Sequence, residues 1–221
     1  MLDNLIENFK KISSETKAGE NEKRKILIAP SWQKDNILDT CLDSMLDSLL
    51  GQGYLIIIRA HPEYKKRYTP RFNAIVEKYK DIPQSELVIE TDFSSNVTIF
   101  TADLVITDWS GIAHEFSFAT LRPTLFINTP MKIINKNYQK INLVPINISL
   151  RSKIGVALEM NEMDKVSDTV ADLLKRHDEF HASIEKIREA TVYNIGTSGE
   201  AGGKYIIQRL IEIAEKRNRG A

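Results

Sequence analysis

The chain of 221 residues has a single cysteine, Cys41. A disulfide within the chain is thereby excluded, which suits a reducing compartment. On the apolar face of a predicted helix, Cys41 reads as a small core residue rather than a nucleophile. Net charge is also lacking, since 30 Lys and Arg balance 30 Asp and Glu. Without an overall field the chain is no general binder of nucleic acid, so any anion has to be held by local groups. No apolar run approaches the ~18 residues of a membrane span. The amino terminus lacks the basic, apolar and small-residue order of a signal peptide, and there is no internal repeat or low-complexity tract. These absences predict a cytoplasmic protein and leave room for peripheral attachment at the inner face of a membrane in an intact enzyme.

What is present is ordinary for a soluble globular protein: 42% hydrophobic and 27% charged residues, enough to bury a core. Residues 2–12 repeat apolar side chains at Leu2, Leu5, Ile6, Phe9 and Ile12, the spacing of one helical face that needs a surface to cover. Residues 13–24 are polar and contain Gly19, which predicts a mobile connection, and a join if the chain is a piece of something larger. The reading therefore divides the chain into an amino-terminal helix and linker, 1–24, and an α/β domain with carboxyl-terminal helices, 25–221.

Within that domain, short β-branched runs alternate with helical periodicity. Strands are expected at 25–30, 54–58, 87–90, 104–107 and 124–128, with helices at 37–50, 70–79, up to 100, and from Trp109 or Ser110 to Ala119. Continuous apolar strands are those covered on both faces, so the pattern predicts a Rossmann-like, mostly parallel sheet flanked by helices. Residues 130–150 read as an irregular loop with an extended piece at 144–148. Residues 163–190 and 200–217 read as helices.

Ligands of open α/β sheets lie at the carboxyl ends of the strands. Two such ends carry chemistry. The strand at 54–58 delivers Arg59 and His61, followed by Pro62. Here either the proline fixes a turn and the histidine is incidental, or the imidazole neutralises charge on a diphosphate. The strand at 104–107 delivers Asp108, Trp109, Ser110 and Gly111 to a helix start, whose backbone amides and positive dipole end form a ready phosphate site. Gly111 lets a ligand approach the backbone closely, and Asp108 orients the turn. Glu115 is placed either for ribose hydroxyls or for solvent. Thr197 and Ser198 can cap the last helix, and Gly199 to Lys204 would bring further amides and one positive charge to a second helix start, unless they form only an interhelical loop.

Two other features are weaker. His177 and His181 are four apart, but their charged surroundings lack the His-Glu-x-x-His order of zinc hydrolases, so no metal is assigned. The tract SGEAGGK at 198–204 fails as a phosphate loop because Ser198 stands at the first glycine, Tyr205 replaces Ser/Thr, and no strand precedes it.

Three tracts and a late one together resemble a known family. ADLVITDWSGIAHEF, 102–116, is similar to the Ala-Asp-x-Leu-Ile-Thr-Asp-Tyr-Ser-Ser-Ile-x-x-Asp-Phe signature of the CDP-glycerol glycerophosphotransferases, the teichoic-acid polymerase and primase family. Arg59 to Pro62 resembles its Arg-Pro-His-Pro, KILIAPSW its Tyr-Ala-Pro-Thr-Phe-Arg opening, and Gly199, Ala201 and Lys204 its Gly-x-Ala-x-x-Arg. The resemblance covers 25 to about 210. It implies the carboxyl-terminal, nucleotide-binding half of a GT-B fold. It also implies His61 on the donor diphosphate, Ser110 and the Gly111 amide as the phosphate-binding pair, and Glu115 in the place of an Asp. Arg59, Asp108, Ser198, Gly199 and Lys204 complete the expected donor site. Gly111, Trp109 and Lys204 depart from the family's Ser, Tyr and Arg.

The family's Trp-His-Gly-Thr tract, implied to supply the catalytic base and the acceptor side, has no match. The implied function is donor binding for transfer of glycerol phosphate from CDP-glycerol to a polymer or lipid-linked hydroxyl. No cofactor is expected beyond the nucleotide donor, and the partner is an acceptor domain outside this chain. Two other readings stay open: a UDP-sugar-dependent GT-B glycosyltransferase or epimerase, and a noncatalytic interaction module.

Overall fold

The computed structural model describes residues 2–15, 22–131, 133 and 135–219. The expected linker around Gly19 lies outside them. Six strands form one all-parallel sheet in the order β3-β2-β1-β4-β5-β6. They are β1 (Lys25–Ile28), β2 (Leu55–Ile58), β3 (Leu87–Ile89), β4 (Leu104–Thr107), β5 (Thr124–Asn128) and β6 (Gly155–Glu159). The order reverses at β1, which pairs with β2 on one side and β4 on the other. Such a switch point opens a crevice beyond the carboxyl ends of the two strands.

The strands form because Ile, Leu and Val there are buried on both faces. Successive side chains alternate: Ile26 and Ile28 join the larger core cluster, while Leu27 joins a smaller one with Ala29, Ile57, Val105 and Phe116. The helices in chain order are α1 (Leu2–Glu15), α2 (Ile37–Thr40), α3 (Leu42–Leu49), α4 (Pro62–Arg67), α5 (Thr69–Lys78), α6 (Val97–Thr101), α7 (Ile112–Thr120), α8 (Ile146–Ser149), α9 (Arg151–Ile154), α10 (Val166–Lys175), α11 (His177–Thr191) and α12 (Ser198–Arg219). Leu42, Met45, Leu46 and Leu49 of α3 are buried at one-turn spacing in the larger cluster. On the opposite face of the sheet, α1 covers α6 and α7. Phe9 of α1 lies under the Arg122 guanidinium at 5.4 Å.

Several expectations change. The helix expected over 37–50 is two pieces, because Cys41 leaves helical geometry at φ −139° while staying buried with its neighbours. A helix that periodicity did not reveal, α4, follows His61, with Pro62 in its first turn. Of the extended piece expected at 144–148, residues 146–148 are instead the start of α8, with Pro145 before it. The region read as one helix over 163–190 is divided at Arg176 into α10 and α11. The sixth strand, β6, was missed. Only Gly155 and Leu158 of its five residues are buried, so no period-two pattern marks it, and its pairing with β5 depends on Gly155, where a Cβ would lie 1.7 Å from the Thr124 carbonyl oxygen.

Among the described residues no helix is long and apolar enough to cross a membrane.

Candidate functional site

At the switch point, β2 and β4 end on either side of β1, and their following loops enclose a cavity of about 230 Å³. Its walls include Pro30 after β1, Arg59 and His61 after β2, Asn96 before α6, and Ser110 and Ile112 at the start of α7. Residues near 60 and near 110, far apart in sequence, thus line one cavity.

His61 caps α4. Its Nδ1 accepts a hydrogen bond from the Glu63 amide at 3.1 Å, so in the neutral ring the proton resides on Nε2. The ring therefore presents a donor on the edge away from its own helix. Arg59 also lines the cavity, but its charge is already engaged. One guanidinium nitrogen pairs with Glu90, the other donates to Asn96 Oδ1 at 3.0 Å, and the group sits 5.5 Å over the Phe93 ring. That network fixes the loop after β3 against the end of β2.

The turn from β4 to α7 is built around Asp108, which is only 1% exposed. Its carboxylate accepts from the amides of Ser31 at 2.8 Å, Trp109 at 2.6 Å and Ile37 at 3.3 Å. Asp108 thus ties the loop after β1 and the start of α2 to the end of β4. Thr107 Oγ1 donates to the Ala29 carbonyl at 2.6 Å and extends the same junction.

The α7 helix begins at Ile112, two or three residues later than expected, with Gly111 before it and no side-chain cap of good geometry. Ser110 Oγ reaches the Ile112 amide only at 3.4 Å. Space beside Gly111 is open, since a Cβ there would meet nothing within 4 Å. The helix start therefore offers a hydroxyl, amide hydrogens and the positive dipole end to the cavity.

Arg151, which no sequence pattern signalled, packs behind the turn without lining the cavity. It is 8% exposed and lies 4.1 Å over the Trp109 ring and 4.5 Å over that of Phe126. It donates to Asn128 Oδ1 at 2.8 Å. Burial draws its pKa down to about 10, against the opposing pull of Asp108 and Glu159. The Trp109 indole Nε1–H donates to the Thr129 carbonyl at 2.8 Å, so the ring is pinned at its edge and on a face. His114, in the first turn of α7, has its pKa lowered by burial and then by the Arg151 charge.

Not every expected residue joins the site. Glu115 is in the first turn of α7 but in no wall of the cavity. Ser198, Gly199 and Lys204 are at the start of α12, where Ser198 Oγ and the Gly196 amide donate to Asp3 of α1 at 3.1 and 2.6 Å. Lys204 donates to Glu200 at 2.5 Å. The second helix start is thus occupied by a carboxylate of the same chain. The His177 and His181 rings lie 6.1 Å apart, and among the described residues no cluster of three or more His, Cys, Asp or Glu comes together.

The chain matches one family of known proteins, and its fold is shared by several solved structures. The family described as CDP-Glycerol:Poly(glycerophosphate) glycerophosphotransferase matches residues 2–137, which contain β1 to β5, His61 and Ser110. A soaked structure of the wall teichoic acid polymerase TagF, a His-to-Asn variant with CDPG, superposes with a TM-score of 0.50 at 19% identity over 96% of this chain. The chain spans 48% of the length of that structure. The C-terminal CMP-Kdo binding domain of WaaA from Acinetobacter baumannii superposes with a TM-score of 0.51 at 13% identity, over 83% of this chain and 97% of that one. At such identities the likeness is one of fold: the α/β half of a GT-B transferase. No curated protein matches the chain.

Proposed function

The chain belongs to the CDP-Glycerol:Poly(glycerophosphate) glycerophosphotransferase family, and from that premise we propose that it is the donor-binding domain of a transferase that moves glycerol phosphate from CDP-glycerol to a polymer or lipid-linked hydroxyl. The observation that carries this reading is the cavity at the switch point, in which His61 and the start of α7 at Ser110 face one space. A diphosphate there meets the Nε2–H of His61 on one side and the Ser110 hydroxyl with the helix amides on the other.

In the reaction, the acceptor oxygen bonds to the phosphorus that carries glycerol, the bond from that phosphorus to the bridging oxygen breaks, and CMP departs with the electron pair. The acceptor proton passes to a base. No residue of this domain is assigned that role, and in a GT-B arrangement it comes from the facing half. His61 and the helix start stabilise charge as it grows on the leaving phosphate, which is electrostatic catalysis by preorganised donors. Arg59 and Asp108 hold the loops that carry them.

Titration calorimetry with CDP-glycerol, CDP and a UDP-sugar tests this. The cytidine compounds should bind more tightly, and His61→Ala and Ser110→Ala should each weaken them about tenfold or more, as expected for a lost hydrogen bond to a charged group. His61→Asn separates two roles: it can still cap α4, so folding stability should stay within about 0.5 kcal/mol, while the ring donor is lost. Variants that bind as the parent does would remove the site assignment, and tighter UDP-sugar binding would select the glycosyltransferase reading.

A further inference from the structure

We propose that residues 135–149 form a lipid-facing surface that settles into the headgroup layer of an anionic membrane. The segment follows β5, contains α8, and is exposed at every position. Leu143 is 80% exposed, Val144 69%, Ile146 55% and Ile141 52%. Folding has left a cluster of aliphatic side chains in water, and burying each of them would be favourable.

Charge narrows what could cover them. From Phe116 to Leu158 the chain has six Lys or Arg and no Asp or Glu, although the two signs are equal in number overall. Lys136 and Lys140 are the cations of the exposed segment, with no carboxylate in it to neutralise them. The helix α12 supplies the contrast. Its Ile206, Leu210 and Ile213 are exposed too, but Lys204 is paired with Glu200 and Arg209 with Glu212.

A protein partner fits this chemistry poorly, since Lys is depleted at interface centres. The surface of an anionic membrane takes both parts at once: the aliphatic groups enter the acyl boundary while the lysine stems lie along them and the ammonium groups reach phosphate. Tyr138, 39% exposed, is the kind of amphipathic ring found at that level. The backbone is also prepared for it. The amides of Ile141, Leu143 and Ile148 donate to carbonyls of the same segment at 3.0, 2.8 and 2.9 Å, and Pro145 has no N–H to leave unpaired.

Ile141, Leu143 and Val144 line one cavity with Trp109, the residue before Ser110. A membrane met by this segment therefore lies near the diphosphate cavity, which suits transfer to a lipid-linked hydroxyl. That consequence rests on the donor-binding reading; the lipid contact does not, and its test contains no nucleotide.

The full chain is sedimented with vesicles of phosphatidylglycerol and phosphatidylcholine in equal parts, and with vesicles of phosphatidylcholine alone. The anionic vesicles should be bound at least tenfold more tightly, because each lysine at such a surface contributes about fivefold, and added salt should reduce the difference. Replacing both lysines, Lys136→Gln with Lys140→Gln, should cost about 25-fold on anionic vesicles and little on neutral ones. Leu143→Glu should weaken binding by at least about fiftyfold, from the lost apolar burial and the added charge. Leu210→Glu makes the same change at an exposed position of α12 and should cost no more than about fivefold. All these side chains are exposed, so thermal unfolding should stay as in the parent.

A chain that binds neither vesicle, that binds both equally, or in which Leu143→Glu and Leu210→Glu have equal effects overturns the proposal. A dimer that Leu143→Glu dissociates, in a chain that ignores vesicles, would assign the surface to a second copy instead.

Discussion

Asp108 and His114 show how buried polar groups constrain the site from beneath. Three backbone amides from two loops converge on the Asp108 carboxylate. Asp108→Ala should therefore leave buried donors without partners and remove the charge that supports Arg151, destabilising the fold by about 3 kcal/mol in urea unfolding. His114 has a buried Nε2 without a hydrogen-bond partner among the described residues, and its pKa is lowered by burial and by Arg151. The folded state therefore binds its proton less readily than the unfolded chain does. Its stability is fully present above about pH 6.5, the unfolded value, and is lost as pH falls toward the depressed folded value, by at most ~1.4 kcal/mol per pH unit. Urea midpoints at pH 7.5 and 5.5 should differ more in the parent than in His114→Phe. At this scale the sequence displayed the polar residues at strand ends but not which were used internally. Asp108 looked like a turn residue and is a three-amide anchor, and Arg59 looked available and is paired with Glu90.

Among the elements, β6 shows the limit of pattern reading. GVALE follows the short α9 and lies before a 3₁₀ turn, so too few residues repeat to show a period. What makes it a strand is the partner: five residues pair with β5 from Gly155 opposite Thr124 to Glu159 opposite Asn128. Gly155 has extended backbone, so its role is space rather than φ. Gly155→Ala places a methyl group into the Thr124 carbonyl and should cost at least roughly 3 kcal/mol or abolish soluble expression, read from thermal unfolding monitored by circular dichroism. The α4 helix was hidden for a related reason. Six residues rich in charge carry little periodicity, and the helix is started by His61 and Pro62, where the sequence alone offers either a turn or a diphosphate contact.

Over the whole molecule, the amino-terminal helix is joined to the start of α12. Asp3 in the first turn of α1 accepts from Gly196 and Ser198, across nearly the full sequence. Asp3→Ala should raise amide exchange in α1 and at the start of α12, measured by hydrogen–deuterium exchange, while the sheet and CDP affinity stay as in the parent. A change in CDP affinity would instead return Ser198 and Gly199 to the donor site. The same contact explains why those residues, matched by motif, do not reach the switch point: a carboxylate of the amino-terminal helix already takes the donors there.

Local pattern determined a good part of this protein before any folding was considered. The β-branched runs and intervening helical periods specify five parallel strands, because burial on two faces and on one leaves different repeats in the chain. The tract 102–116 with Arg59 to Pro62 was enough to point to the family, since those residues follow strands whose ends are legible. Which ends meet was decided only in three dimensions. The strand order sets β2 and β4 on either side of β1, so His61 and Ser110 share a cavity. Ser198 turns to Asp3 of α1 instead, and Arg151 arrives beneath Trp109 from a segment without a motif. Periodicity records the surroundings of each residue within its own element, whereas a site is made by hydrogen bonds and packing between elements, whose partners no single stretch of sequence contains.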